Sequence, residues 1–410
     1  MRLSFLEDQK VQLLFRVLDG GGEELRVVGG AIRNALLGAP VHEIDFACTA
    51  TPEVMLERAR SARLRCIPTG IEHGTITILI DGTSFEVTTL REDVETDGRR
   101  AKVRFGRSFE HDALRRDFTM NSLSATAAGE LFDYSTGLQD IAARRVRFIG
   151  DPIARVREDY LRILRFFRFH AIYGQGEIDR EAFHAAIMER EGMHNLSRER
   201  IRAELLKLLA APHAAEVVAH MCGAGLLMPV LAGIAIPSRL ARVMEIEQSR
   251  GLSPDPFLRL MALCLLVRED ALRLRDELRL SNAECDRARD AARVLETLHG
   301  IEAPPSHGDL LALLFRHGRQ ASLDGLILAQ AQSHAPAANE AFAKAAAFLR
   351  DTPQPQLPFS GADLLAHGLK PGPALGETLK QLQALWIRAG FPDEPATLHR
   401  LLNEALAQTR

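Results

Sequence analysis

The spacing of apolar residues along the chain changes near residue 150. Before that point, short apolar runs lie between glycine-containing turns, which predicts β-strands over 25–28, 41–47, 75–80 and 84–90. After it, apolar residues recur every three or four positions, a spacing typical of amphipathic helices. The pattern therefore predicts a small α/β region followed by an all-α remainder.

The first two strands and the helix between them contain a compact group of candidate residues. Gly29-Gly30 forms the turn before a helix over 31–37, and a turn without Cβ atoms lets backbone N–H groups approach a ligand closely. On the second strand, Glu43 and Asp45 share one face. Two such carboxylates near a phosphate-binding turn could hold Mg²⁺ against a nucleoside triphosphate. Each feature alone more often marks an ordinary turn or a solvated strand, so the interpretation depends on the motifs downstream.

A third carboxylate belongs to a predicted hairpin. Asp81-Gly82 is a strong two-residue turn signal between two β-rich runs. On the return strand, Glu86 faces away from the apolar Phe85 and Val87. Glu86 is therefore either a third member of the acidic group or an exposed residue of an edge strand, and the local sequence does not separate the two.

The segment RRDFTMN combines cations, an acid and hydrogen-bonding side chains within seven residues. Asp112 is expected to cap a short helix just before it. Arginine suits phosphate oxygens, whereas aspartate and asparagine suit hydroxyls, so the segment is a candidate site for a triphosphate and its ribose. The alternative is a solvated helix end with an internal ion pair. The candidate residues are Arg115, Arg116, Asp117 and Asn121.

The first long helix is predicted over about 151–173, with one apolar and one basic face. Residues 144–168 include eight arginines and three acids, a local surplus of positive charge that suits a phosphate backbone. A solvated helix face is the more common meaning of such a run. Glu158, Asp159 and Arg162 lie along this helix, and Glu158 has the spacing to pair with Arg162.

Beyond about residue 230 the chain is predicted to form helical hairpins that carry little chemistry. The segment 257–267 is apolar on nearly all sides, which predicts a core helix. Ser281 and Glu284 have the spacing of a capping box at a helix start. A proline-rich loop over 352–355 is a predicted domain junction.

Composition narrows the class of protein. The chain has 410 residues, enough for two to four domains, and a formal net charge of −3, so any nucleic-acid surface must be a local patch. Its five cysteines form no C-x-x-C pair, which argues for a reducing compartment without disulfides or zinc. The N-terminus does not resemble a signal peptide, and no apolar run reaches the roughly 18 residues of a membrane helix. We therefore expect a cytoplasmic protein with no membrane partner.

Five segments together resemble the class II tRNA nucleotidyltransferase and bacterial poly(A) polymerase family, within the polymerase-β-like nucleotidyltransferases. They occur in the family's order and span about residues 24–212, and the C-terminal half is similar to the family only loosely. VVGGAIRNALLG with EIDF is similar to the family's metal motif, and RRDFTMNSL is similar to its ribose-selecting motif. DYSTGLQDI is similar to the hinge motif. EDYLRILRFFRF is similar to the nucleotide-templating helix, and LSRERIRAELLKLL is similar to the helix that braces it.

The resemblance implies a fold and a reaction. The implied fold is a polymerase-β-like head with a mixed or antiparallel sheet (1–142), a helical neck for nucleotide recognition (143–230) and a helical body and tail that bind tRNA (231–410). The implied reaction is template-independent addition of CCA to tRNA 3′ ends from CTP and ATP, with two Mg²⁺ ions and release of pyrophosphate. DNA is not an implied partner. The alternatives are a poly(A) polymerase, an enzyme that adds part of CCA, and a non-catalytic RNA-binding protein.

The resemblance also implies a role for each candidate residue. Glu43, Asp45 and Glu86 would be catalytic, with Glu43 and Asp45 as metal ligands. Asp159 and Arg162, three residues apart on one helix face, would read the base in place of a nucleic-acid template, and Glu158 would fix the aim of Arg162. The implied nucleotide-binding residues are Gly29, Gly30, Arg33, Arg115, Arg116, Asp117, Asn121, Glu158, Asp159, Arg162 and Arg165.

Two residues depart from the family's pattern. Glu43 stands where the family usually has aspartate, so its extra methylene requires a shift of strand or rotamer for metal ligation. Asn34 replaces the usual aspartate after Arg33, which removes an ion-pair partner of that arginine. The segment 91–106 resembles the loop that helps the family switch from CTP to ATP, and its presence argues against an enzyme that adds only CC.

Overall fold

The fold is that of a computed structural model, which describes residues 3–71, 74–93 and 103–409. The chain divides into two compact units. The first comprises Met1–Val217 and Ala224–Pro229, and the second comprises Val218–Gly223 and Val230–Arg410. The predicted boundary between head and neck at residue 142 stays a prediction.

The first unit contains a mixed sheet of seven strands, which confirms the predicted fold class. The strands of the described residues are β1 (Leu25–Val28), β2 (Asp45–Cys48), β3 (Arg65–Gly70), β4 (Thr75–Ile80), β5 (Thr83–Thr89), β6 (Arg91–Asp93), β7 (Val103–Phe105), β8 (Ser124–Ala125) and β9 (Leu131–Phe132). The sheet has the order β3-β4-β5-β2-β1-β8-β9. β2 and β5 run parallel, whereas the other neighbours run antiparallel.

The apolar pattern predicts the sheet's hairpin well and its second strand only in part. Asp81 and Gly82, between β4 and β5, have φ values of 46° and 78°, the left-handed conformation that the predicted two-residue turn requires. The predicted strand over 41–47, by contrast, begins only at Asp45, where pairing with β1 and β5 starts. Glu43 therefore lies in the segment that leads into β2.

The ends of the segment 91–106 form a two-stranded ribbon. β6 pairs antiparallel with β7, with Arg91 opposite Phe105. The short strand predicted at the end of this segment is therefore confirmed. The centre of the predicted CTP-to-ATP loop, 94–102, lies outside the described residues.

Helices make up most of the remaining chain. Up to residue 223 they are α1 (Gln9–Leu18), α2 (Gly30–Leu36), α3 (Pro52–Ser61), α4 (Phe109–Leu114), α5 (Gly137–Ala142), α6 (Pro152–Glu158), α7 (Leu161–Tyr173), α8 (Arg180–Met188), α9 (Arg198–Ala210) and α10 (Ala214–Gly223). Beyond it they are α11 (Met228–Leu231), α12 (Pro237–Ser249), α13 (Pro256–Cys264), α14 (Arg268–Leu278), α15 (Asn282–Thr297), α16 (His307–Gln332), α17 (Glu340–Asp351), α18 (Gly361–Ala366), α19 (Pro373–Arg388) and α20 (Pro395–Thr409).

The helix predicted over 151–173 is in fact two helices, α6 and α7. Asp159 lies between them with extended backbone angles (φ −155°, ψ 106°). The prediction that Asp159 and Arg162 share one helix face is therefore wrong. The apolar spacing did not show the break because α6 and α7 both bury a face, through residues such as Val156 and Ile163.

The predicted cap of the short helix before the RRDFTMN segment is also wrong. α4 begins at Phe109, and Ser108 caps it by accepting a hydrogen bond from the His111 backbone N–H at 3.2 Å. Asp112 lies inside the helix and is buried. Its carboxylate instead pairs with arginines that follow the helix, as described below.

In the second unit the capping box is confirmed, and the predicted core helix is confirmed up to Cys264, whereas Leu266 and Val267 lie beyond the helix and are exposed. All residues from Phe257 to Cys264 of α13 are buried. Ser281 caps α15, and its N–H and hydroxyl donate to Glu284 at 2.8 and 2.6 Å. The buried Arg239 of α12 donates to three backbone carbonyls at the end of α13, those of Met261, Ala262 and Leu265. Burial lowers the pKa of this arginine to about 10.

Two further expectations concern the whole chain. All five cysteines are free, in agreement with the expected absence of disulfides. Within the part of the chain that the structure describes, no helix combines the length and apolar character needed to cross a membrane.

Candidate active site

The first unit contains a cavity of about 650 Å³ that collects most of the predicted site residues. The turn between β1 and α2, the start of β2, the segment after α4 and one side of α7 contribute to its wall. The lining residues are Gly29, Gly30, Arg33, Glu43, Asp45, Arg115, Arg116, Asp117, Asn121, Asp159, Leu161, Arg162, Arg165, Phe169 and Arg200. Glu86 and Glu158 are the two predicted site residues outside this lining, although each contacts or faces a residue within it.

The parallel pairing of β2 with β5 places the acidic residues together. Asp45 lies directly opposite Glu86 in the register of the two strands. Burial and the nearby charges of Glu86 and Glu43 raise the pKa of Asp45, and Arg116 acts in the opposite direction. Three carboxylates that repel one another in this way favour a bound cation.

The oxygen atoms of Glu43, Asp45 and Glu86 suit a divalent cation, although the three side chains do not converge on one point. Carboxylate oxygens are the ligands that Mg²⁺ prefers. However, among residues 3–71, 74–93 and 103–409 no three histidine, cysteine, aspartate or glutamate side chains converge closely enough to hold a metal ion. A protein that binds Mg²⁺ through one or two carboxylates, with the substrate's phosphates as further ligands, does not need such a cluster.

The backbone of the β1–α2 turn favours glycine at position 29. The φ of Gly29 is 67° and its ψ is −114°, a conformation that residues with a Cβ atom rarely adopt. The Gly29 N–H donates to the Leu123 carbonyl at 3.0 Å. This N–H is therefore already used inside the fold, and the end of the Arg116 side chain lies close to the turn.

Arg33 is buried and held by several partners. Its guanidinium donates to the Asn121 side-chain oxygen and to the Tyr173 hydroxyl at 2.8 Å, and it lies over the Tyr173 ring. The Asn34 side-chain oxygen accepts from its Nε and Nη2 at 3.1 and 2.9 Å. Asn34 is therefore a neutral hydrogen-bond partner of Arg33 and brings no charge to the pair. Burial lowers the pKa of Arg33, so its positive charge lacks full compensation in this pocket.

Ion pairs hold the RRDFTMN segment in place. Asp112 pairs with both Arg115 and Arg116. Asp117 accepts from Arg165 Nε at 2.8 Å and from Asn121 Nδ2 at 2.9 Å. Although burial opposes it, the Arg165 guanidinium holds the pKa of Asp117 below its usual range. Asp117 is therefore an ionised residue that ties α7 to the wall of the cavity.

The residues predicted to read the base are brought to the cavity by the break between α6 and α7. Asp159 accepts from the Leu161 N–H at 3.1 Å and from Arg200 Nη2 at 2.6 Å. Arg162 pairs with Glu158, as predicted, and donates to the Arg155 carbonyl at 3.0 Å. Asp159 and Arg162 therefore both line the cavity. The Asp159 carboxylate is positioned by its extended backbone and by Arg200, because Asp159 and Arg162 do not share a helix face.

Sequence reasoning missed four residues of this site. Leu161, Phe169 and Arg200 line the cavity, and Tyr173 binds Arg33. Arg200 belongs to α9, which resembles the family's bracing helix, and this resemblance could have indicated that α9 contributes a residue to the site. The two aromatic residues look like ordinary core positions in the apolar pattern of α7.

Positive charge dominates the cavity. Its lining carries six arginines and four carboxylates. An excess of guanidinium groups around a partly apolar recess suits a polyanionic ligand such as a triphosphate. A mixed sheet with facing acids beside such a recess defines the nucleotidyltransferase class of enzyme.

Comparison with known proteins agrees with this class. A family model described as the Poly A polymerase head domain matches residues 25–147, and one described as the probable RNA and SrmB-binding site of polymerase A matches residues 177–236. The mitochondrial CCA tRNA nucleotidyltransferase 1 of Homo sapiens is 35% identical over 90% of this chain and 84% of its own length. The CCA-adding enzyme of Streptococcus gordonii is 30% identical over 98% of this chain and 100% of its own length.

A solved structure extends the agreement to the whole fold. The crystal structure of the Bacillus stearothermophilus CCA-adding enzyme in complex with CTP matches with a TM-score of 0.74 and 25% identity, over 100% of this chain and 99% of that chain. The chain belongs to the family of CCA-adding enzymes, the CCA tRNA nucleotidyltransferases. The family predicted from the five sequence segments is therefore confirmed.

Proposed function

We propose that this enzyme adds CCA to the 3′ ends of tRNA, using CTP and ATP. The observation that carries the proposal is the placement of Asp45 beside Glu86, at the edge of a cavity lined by six arginines. The names of its relatives favour this reaction over poly(A) synthesis. A cytoplasmic location stays part of the proposal.

We propose Mg²⁺ as the cofactor, held by Asp45 and Glu43 together with phosphate oxygens of the nucleotide, with Glu86 as the neighbouring catalytic carboxylate. When bound, Mg²⁺ supplies activation of the primer hydroxyl and charge neutralisation on the leaving pyrophosphate. The raised pKa of Asp45 supports this assignment, because carboxylates that repel one another gain most from a cation. Glu43 lies in the segment before β2 and lines the same cavity as Asp45.

The arginines of the cavity would bind the triphosphate. Arg115 and Arg116 are both anchored on Asp112, which leaves their planar donors oriented before a nucleotide arrives. Arg33, buried and only partly compensated, adds a positive charge on the other side of the Gly29 turn. The Asn121 amide N–H would donate a hydrogen bond to the ribose, and the ionised Asp117 carboxylate would accept one from a ribose hydroxyl.

Asp159 and Arg162 would select the base. Cytosine and adenine present an amino donor beside a ring-nitrogen acceptor, whereas uracil and guanine present a carbonyl and an N–H. A carboxylate has acceptor capacity beyond its two bonds to Leu161 and Arg200, so Asp159 can also accept from the amino group. The wrong base would leave polar groups unpaired, at about 1–3 kcal/mol each.

The reaction is tested with tRNA that lacks its 3′ end. Incubation with each labelled nucleotide, read as product length on a gel, should show two C additions followed by a single A. A long run of A would instead identify a poly(A) polymerase. Asp45→Ala should abolish incorporation but preserve tRNA binding, whereas Glu57→Ala, which removes an exposed acid of α3, should leave both unchanged. Wild-type incorporation by Asp45→Ala would overturn the metal assignment.

Base selection is tested by the incorporation efficiencies of all four nucleotides on one primer. Asp159→Ala should raise the use of UTP or GTP relative to CTP and ATP, because the acceptor that rejects their carbonyl is gone. Asp151→Ala serves as a matched control, since that aspartate caps α6 and does not line the cavity. An unchanged ratio in both Asp159→Ala and Arg162→Ala would reject base reading by these residues.

A further inference from the structure

Arg33 lines the cavity of the candidate active site, and its hydrogen-bond partners within the described residues are all neutral. They are the side-chain oxygens of Asn34 and Asn121 and the hydroxyl of Tyr173. Amide oxygens and hydroxyls accept from a guanidinium without cancelling its charge. The positive charge of Arg33 therefore remains to attract an anion in the cavity.

Tyr173, the last residue of α7, holds this guanidinium in two ways. Its hydroxyl accepts from Nη2 of Arg33 at 2.8 Å, and the guanidinium carbon lies 4.3 Å from the centroid of its ring. Phe169, one turn earlier, adds a second ring whose centroid is 5.2 Å from the guanidinium carbon. The hydrogen bond fixes one edge of the planar group, and the rings favour one tilt of its plane.

Tyr173 is not itself part of the cavity wall. Asn121 and Phe169 line the cavity, whereas Asn34 and Tyr173 do not. Asn34 is the sequence neighbour of Arg33 on α2, so Tyr173 is the partner that ties Arg33 to α7 by a hydrogen bond. Any effect of Tyr173 on a ligand of the cavity must therefore act through Arg33.

We propose that Tyr173 is a positioning residue that holds Arg33 for the phosphate chain of the nucleotide. The inference deepens the proposed function and rests on it for the identity of the nucleotide. An arginine that is fixed before the ligand arrives loses less conformational freedom on binding, so the affinity for phosphate depends on what fixes it. CTP and ATP share the same phosphate chain, so Tyr173 should affect both equally, unlike Asp159.

The first test is calorimetric titration of the full-length protein with inorganic tripolyphosphate, without added Mg²⁺, so that only protein groups bind the probe. Tyr173→Phe keeps the ring and removes the hydroxyl. It should weaken tripolyphosphate binding by about two- to tenfold, as expected when one neutral hydrogen bond is lost. Tyr173→Leu removes the ring as well and should weaken binding further.

The second test is steady-state kinetics on tRNA that lacks its 3′ end. Tyr173→Phe should raise KM for CTP and for ATP by the same factor and leave kcat unchanged, the pattern of lost uniform binding. Tyr134→Phe is the matched control for tripolyphosphate binding and should bind it like the wild type. The Tyr134 hydroxyl also accepts from an arginine, Nη1 of Arg26 at 3.2 Å, but neither residue lines the cavity.

A double-mutant cycle shows whether Tyr173 acts through Arg33. In an Arg33→Met background, Tyr173→Phe should cause no further loss of tripolyphosphate binding. Thermal unfolding of each variant shows whether it is folded. The inference is overturned if the wild type does not bind tripolyphosphate, if folded Tyr173→Phe and Tyr173→Leu bind it like the wild type, or if Tyr173→Phe costs as much in the Arg33→Met background. If the predicted losses of binding occur but the wild type adds no CCA, the proposed function fails and this inference stands.

Discussion

Asp45 and Asp117 line the same cavity, yet their pKa values move in opposite directions. Burial and two neighbouring carboxylates raise the pKa of Asp45. For Asp117, burial is outweighed by Arg165 and by hydrogen bonds from Asn121 and the Phe118 N–H, so its pKa falls. Environments that separate two like groups in this way assign them different tasks. A bound cation would relieve the repulsion between Asp45 and its neighbouring carboxylates, whereas the charge of Asp117 is already compensated by Arg165.

The Asp117 pair predicts how stability depends on pH. A carboxylate with a lowered pKa stabilises the fold above its unfolded pKa of about 3.9, and this contribution is lost as the pH falls through the lower, folded value. Asp117→Asn should therefore destabilise the first unit by about 1–3 kcal/mol at neutral pH, since Arg165 loses its partner. The deficit should shrink as the pH is lowered below about 4. Melting temperatures across this pH range provide the measurement.

Asp351→Asn is the control for that experiment. Asp351 also pairs with an arginine, Arg350, but both side chains are exposed. Exposed pairs contribute little to stability, so its melting temperature should match that of the wild type. An equal loss in both variants, or a loss in Asp117→Asn that persists in acid, would contradict the role given to the buried pair.

At the scale of the elements, a glycine distant in sequence packs against the break between α6 and α7. Gly192 packs against Tyr160, and a Cβ atom on this glycine would lie 2.0 Å from two atoms of the tyrosine ring. Real side chains do not approach so closely, so any larger residue must displace the ring. Tyr160 follows Asp159 directly, and the displacement would therefore reach the residue proposed to read the base.

We expect Gly192→Ala to change base selection although Gly192 does not itself line the cavity. The ratio of incorporation efficiencies for the four nucleotides should shift in the same direction as in Asp159→Ala, although less strongly. Gly223→Ala is the control, because nothing lies within 4 Å of the added Cβ atom. If folded Gly192→Ala keeps the wild-type ratio, Tyr160 does not position Asp159.

Two errors in the predicted elements, those in the strand over 41–47 and in the helix over 151–173, have one physical cause. The strand over 41–47 was predicted from alternation, but residues before Asp45 have no strand to pair with. The helix over 151–173 was predicted from apolar spacing, but α6 ends at Glu158 and α7 begins at Leu161, where Arg200 and Gly192 contact the two residues between the helices. The local spacing of apolar residues indicates which face of a segment is buried. It does not indicate which other segment pairs with that face or contacts it.

The candidate site was predictable to the extent that its residues lie in local motifs. The glycine turn, the acids around Asp45 and the RRDFTMN segment each carry a recognisable combination of residues. Arg200 and Phe169 lack such a combination, because their place in the cavity follows from the packing of α7 against α9. Asp159 was predicted correctly as a residue and incorrectly as part of a helix.

For the whole molecule, the division into two units predicts separable unfolding. Calorimetry of the full chain should resolve two transitions, of which CTP should raise only that of the first unit. Arg239→Ala should lower only the other, since three carbonyls at the end of α13 lose their donor. At about 1–3 kcal/mol for a lost buried hydrogen-bonding group, the decrease is roughly 2–12 °C for a unit of this size.

Arg293→Ala is the control for unfolding, because Arg293 belongs to an exposed pair with Asp290 on α15. Both of its transitions should stay at the wild-type temperatures. A single transition that CTP and Arg239→Ala both shift would show that the two units unfold as one.

The parallel pairing of β2 with β5 also has a consequence for synthesis on the ribosome. A growing chain exposes Asp45 well before Glu86, because β3 and β4 are made between them. Asp159 follows later still, and its partner Arg200 emerges only with α9. Domains generally fold from the N-terminus during translation, so the acids and arginines of this cavity meet only when most of the first unit has left the ribosome. An unfinished chain therefore has no assembled site with which to act on the RNA around it.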